Sequence, residues 1–111
     1  MKIYISGPIS GQAPTETNHA FDDAERLIAE AGHTPVSPLR NGLPPHSTYE
    51  QHLAADFAML LGCDAILLLY GWRGSRGCRM EYSIASNMGK TIFTSFAGLS
   101  HVRRTPAGVD D

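Results

Sequence analysis

The sequence predicts an α/β fold: a three-layer sandwich on a parallel sheet of four to five strands in the order 2-1-3-4(-5). Short β-branched or apolar runs alternate along the 111 residues with longer segments of helical spacing. The run Ala65-Ile66-Leu67-Leu68-Leu69 is apolar at every position, as befits a central strand covered on both faces. Strand–helix alternation then imposes right-handed crossovers, which make the strands parallel and put helices on both sides.

Residues 2–5 alternate and carry β-branched or aromatic side chains, so they form the first strand. Ser6 to Gly11 is a turn-rich loop. A helix is expected from about Thr17, with Phe21, Ala24, Leu27, Ile28 and Ala31 on one face and Gly32 just past its end. His33–Val36 is a short second strand. Prolines 38, 44 and 45 make residues 37–48 irregular. Ser47-Thr48-Tyr49-Glu50 matches a capping box with Ser47 as N-cap, opening a helix that carries Tyr49, Leu53, Phe57, Leu60 and Leu61 on one face. Residues 64–69 form the third strand, Arg76 to Met88 a helix ended by Gly89, and Thr91–Thr94 the fourth strand. A fifth element is expected within 95–104, and 105–111 reads as a flexible tail of the single domain 1–111.

A 42% hydrophobic content supports one packed core, and a net charge of −2 argues against a nucleic-acid partner. No apolar run approaches the roughly 20 residues of a membrane span. Met1 to Ser6 does not read as a signal peptide, and Cys63 and Cys78 suggest no disulfide framework, so a cytoplasmic protein is expected. The five histidines show no metal-ligand spacing, and neither a metal nor another cofactor is expected.

In a sheet of this order, ligands bind at the carboxyl ends of the strands where the order reverses. The loops beginning at Ser6 and Tyr70 meet there. The second of them, Gly71-Trp72-Arg73-Gly74-Ser75-Arg76-Gly77, leads from a strand into a helix and suits an anion such as phosphate. Ser75 is the expected N-cap and a candidate phosphate ligand, with Arg73, Arg76 and Arg79 adding positive charge. Asp56 falls on the apolar stripe of its helix, either as an edge residue reaching solvent or as a carboxylate of the site. Glu81 shares a face with Ile84, Ala85 and Met88, either paired with Arg76 or Arg79 or placed for chemistry. Two semi-buried carboxylates on different helices suit glycosidic-bond chemistry. Tyr4 could orient one of them or simply pack in its strand. Asp64 reads as a structural hydrogen-bonding residue and Cys78 as packing.

Lys2-Ile3-Tyr4-Ile5-Ser6-Gly7-Pro8-Ile9-Ser10-Gly11, Asp56 with Asp64 eight residues on, and Ser75-Arg76-Gly77 leading to Glu81 together resemble the nucleoside 2-deoxyribosyltransferase superfamily over about residues 1–95. The pattern is most similar to a small, often phage-borne branch of it, except that Cys78 stands where Ala is usual. The resemblance implies a flavodoxin-like fold, a homodimer or higher homo-oligomer, and a small-molecule nucleotide substrate. It implies Glu81 as nucleophile, Asp56 as an assisting carboxylate and Tyr4 as an orienting hydroxyl. Ser6, Gly7, Pro8, Ile9, Gly11, Gly71, Trp72, Ser75 and Gly77 would hold substrate and phosphate, with Ser100 supplied by a neighbouring subunit. Base-exchanging transferases carry Asp six residues before the nucleophile, whereas deoxynucleoside 5′-monophosphate N-glycosidases carry Ser. Ser75 therefore favours the hydrolase, with base exchange and non-catalytic nucleotide binding as the alternatives.

Overall fold

A computed structural model describes residues 1–101. Four parallel strands, β1 (Lys2–Ser6), β2 (Thr34–Val36), β3 (Ala65–Leu68) and β4 (Thr91–Phe93), form one sheet in the order β2-β1-β3-β4. Three helices connect them: α1 (Pro14–Glu30), α2 (Tyr49–Leu61) and α3 (Arg76–Asn87). The expected order of the first four strands is borne out.

β1 divides the interior into two layers. Ile3 and Ile5 join Phe21, Ala24 and Ile28 of α1 on one side, while Tyr4 joins Leu60, Ile66, Leu68 and Ala85 beneath α2 and α3 on the other. Each large side chain sealed this way contributes roughly 1.5–3 kcal/mol of apolar burial. All four residues of β3 are buried, as a central strand requires. Asp64 accepts from the Lys2 N–H at 2.8 Å and so ties the start of β3 to β1, the structural role expected of it.

Two expected boundaries need correction. α1 begins at Pro14 rather than Thr17, because proline's fixed φ suits a helix's first turn. The N-cap of α2 is Thr48, not Ser47: Thr48 Oγ1 accepts from Gln51 N–H and Gln51 Oε1 accepts from Thr48 N–H. Both registers fit the capping-box pattern, but the Ser47 N–H already bonds Pro44 O in the preceding turn. The optional fifth element of the expected order is not a strand over its described residues. Ala97–His101 is a one-turn 3-10 helix, started where Gly98 N–H bonds Ser95 Oγ and packed by buried Leu99. The sheet therefore has four strands among the described residues. The expected tail, 105–111, lies outside them.

The order reverses between β1 and β3. There the Leu69 N–H bonds Ser6 O at 2.8 Å, so the loops leaving both strands start side by side. A Cβ on Gly7 would come within 2.8 Å of Leu69 Cδ1, which shows how closely they pass.

Candidate active site

A cavity of about 870 Å³ opens at this reversal, within the range of sites that take small molecules. The loop after β1 (Gly7 to Ser10), the proline-rich loop before α2, one face of α2, and the loop leading into α3 form its walls.

Glu81 lines the cavity and is only 6% exposed. It pairs with neither Arg76 nor Arg79. Tyr4 Oη donates to its Oε2 at 2.5 Å, and Ser6 Oγ donates to its Oε1 at 2.7 Å. The strand's period of two explains both bonds, since Tyr4 and Ser6 project from the same face of β1. Burial raises the Glu81 carboxyl to about 7, the two hydroxyl bonds oppose that rise, and the charge of Asp56 adds to it. Tyr4 is pushed well above its ordinary value by burial and then by Glu81, so it stays a protonated donor at neutral pH.

Asp56 also lines the cavity and is buried at 8% exposure, so it is not the solvent-reaching edge residue of the bland reading. Burial raises its carboxyl, while the Asn41 bond and nearby His52 hold it down. Asn41 Nδ2 donates to Asp56 Oδ1 at 2.9 Å.

Ser75 caps α3, its Oγ accepting from Cys78 N–H at 3.3 Å, and Ser75, Arg76 and Gly77 all face the cavity. A hydroxyl, a cation and the positive end of a 12-residue helix thus share one wall. Gly71 precedes them at φ +85, a left-handed turn that an L side chain would strain. Burial raises the Cys78 thiol, which suits packing rather than nucleophilic attack.

Other expected ligands are placed differently. Gly7, Pro8, Ile9 and Gly71 line the cavity, but Ser6 lies below it, turned to Glu81, and Gly11 is not in the wall. Trp72 is drawn away by packing: it covers the core beneath α3, stacks on Tyr82 at 5.0 Å and carries the Arg73 guanidinium over its ring. Arg79 is likewise turned away, bonding Arg73 O at 2.8 Å. Ser100 bonds Ala97 O in its own 3-10 turn and lies outside the cavity wall. Asn41 and His52 were not anticipated. His52 stands four residues before Asp56 on one helix, a neighbour relation that sequence spacing contains.

Solved structures sharing this fold include the 2-deoxyribosyltransferase of Bacillus psychrosaccharolyticus, with 19% identity, TM-score 0.66, and coverage of 94% of this chain and 93% of that one. The 2-deoxyribosyltransferase of Leishmania mexicana matches at 21% identity and TM-score 0.64, covering 82% and 61% of the respective chains. A CMP N-glycosidase of Clostridium botulinum matches at 20% identity and TM-score 0.57, covering 83% and 66%. At these identities the likeness is one of fold. The protein spans less than two thirds of the length of the last two. No curated protein sequence matches the chain. The model of the family described as DUF4406, a domain of unknown function, matches residues 1–94, and the chain belongs to that family. No helix among the described residues is long and apolar enough to cross a membrane.

Proposed function

We propose that this chain is an enzyme that cleaves the N-glycosidic bond of a nucleoside 5′-monophosphate, with a 2′-deoxy sugar preferred. The observation that carries the proposal is Glu81: a buried carboxylate facing the cavity, with one oxygen held by Tyr4 and the other by Ser6. Its ionised form attacks C1′, the C1′–N bond breaks, and the base leaves with the bonding electron pair. Asp56, on the cavity wall, hands the departing base a proton. Water then gives a proton back to Asp56 as its oxygen bonds C1′, and the C1′–O bond to Glu81 breaks, releasing the sugar 5-phosphate and the Glu81 carboxylate. Ser75, Arg76 and the first N–H groups of α3 hold the phosphate, with Gly7, Pro8 and Ile9 across the cavity. The hydroxyl of Ser75 accommodates a dianion where a carboxylate would repel it. No cofactor takes part. The working form is a homodimer or higher oligomer in the cytoplasm.

The test is base release from purified protein fed a panel of nucleosides and nucleotides. Wild type releases free base from monophosphates and Glu81→Ala does not; full activity in that variant refutes the assignment. A second reading, base exchange, is favoured by the likeness to the Bacillus transferase over nearly all of both chains. Adding a free acceptor base separates the two, because only a transferase yields a new nucleoside.

A further inference from the structure

Asn41 ties together a cluster in the cavity wall that the reaction outlined above leaves partly unused. Its Oδ1 accepts from the Leu43 N–H at 3.1 Å, and its Nδ2 lies 2.9 Å from Asp56 Oδ1 and 3.0 Å from His52 Nδ1. These three contacts decide which way the amide points. Turned over, it would set NH2 against the Leu43 N–H and its oxygen against a carboxylate. One hydrogen of the Asn41 amide therefore goes to Asp56 and the other to His52. His52 Nδ1 is then an acceptor, and the proton of the neutral ring sits on Nε2. Among the described residues His52 makes its hydrogen bond through Nδ1 alone, while the ring lines the cavity.

Leu39, Leu43, Pro45, Tyr49 and Leu53 line the same cavity, the last two on α2 with His52. Apolar side chains with an oriented donor among them suit a flat heterocycle better than a phosphate. We infer that His52 is a specificity-determining residue, an Nε2–H donor that takes an acceptor on the leaving base, either a carbonyl oxygen or an unprotonated ring nitrogen. Asn41 is its positioning residue. The inference rests on the nucleotide reading of the cavity given under Proposed function.

Two measurements test it. Nitrogen-15 NMR of the imidazoles at pH 8 should show His52 as the Nε2–H tautomer in wild type and as a mixture in Asn41→Ala; a dominant Nδ1–H form in wild type overturns the inference. Affinities are then compared in a Glu81→Gln background, which blocks turnover, using deoxynucleoside 5′-monophosphates and base-free deoxyribose 5-phosphate. Adding His52→Phe should weaken the nucleotides about tenfold to a hundredfold and leave the base-free sugar phosphate unchanged. His52→Gln, which keeps an N–H donor, should recover part of the loss. Equal losses on both ligands would assign the donor to the phosphate, and no loss on either would remove it from recognition; each overturns the inference. The reaction fails separately: if wild type releases no base, the chemistry is wrong while a His52-dependent nucleotide affinity still supports the donor.

Discussion

Glu81→Gln gives the most direct physical test of the site, because it needs no substrate. In the folded protein the Glu81 carboxyl sits at about 7 against an ordinary value of 4.5. The folded state therefore binds this proton more tightly than the unfolded chain does. Its contribution to stability is complete below pH 4.5 and disappears as pH rises through 7. A shift of that size corresponds to about 3 kcal/mol, undiminished by solvent at a group this deeply buried. Glutamine keeps the shape, still accepts from Tyr4, and does not ionise. Urea denaturation of both proteins at pH 4.5, 6 and 8 should show the variant gaining on wild type by about 3 kcal/mol across the range, or on the order of 10 °C in Tm. Asp56, also raised by burial, acts in both proteins and largely cancels in the difference. Curves that stay parallel from pH 4.5 to 8 would falsify the claim that Glu81 is buried against its charge.

Ser6→Ala removes one of the two bonds that favour the Glu81 carboxylate. The rising limb of a pH–rate profile, set near 7 by Glu81 ionisation, should move upward by about one unit; an unmoved limb would detach Ser6 from the nucleophile. Ser75→Asp puts a carboxylate where phosphate is held, so kcat/KM for monophosphates should fall at least about a hundredfold while nucleosides without phosphate lose little. Equal losses on both would remove Ser75 from the phosphate site. Gly71→Ala forces an L side chain into φ +85 and should destabilise the fold by about 1–2 kcal/mol in chemical denaturation.

The sheet order was legible because each strand is short, apolar and separated from the next by a helix-length segment. The reversal between β1 and β3 followed from that order alone, and it is where the cavity lies. Glu81, Asp56 and Ser75 could be singled out because a polar group on an apolar face, or at a helix start, is conspicuous in one dimension. Ser6 is harder to read: as the first residue of a loop it looked like a phosphate ligand. Extending β1 by that one residue puts it on the side of Tyr4 and turns it to Glu81. Asn41 was out of reach, since its bond to Asp56 spans 15 residues and depends on how a proline-rich loop folds back. Trp72 was misplaced because its neighbours in the Gly71–Gly77 segment look like a ligand loop, whereas the indole is claimed by Tyr82 and the core.

β1 has a consequence that reaches past the site. Its five residues supply Ile3 and Ile5 to the layer under α1, and Tyr4 and Ser6 to Glu81 on the opposite face. A slip of one residue against β3 would exchange the two faces, sending both hydroxyls into hydrocarbon and both isoleucines against a carboxylate. A misregistered fold thus loses the packing under α1 and the hydroxyl cradle of Glu81 together. Inheritance is constrained in the same way, because an insertion or deletion inside this strand strikes the core and the Glu81 cradle together, whereas one in the loop before α2 can reshape the cavity wall and leave the two hydroxyls on Glu81 in place.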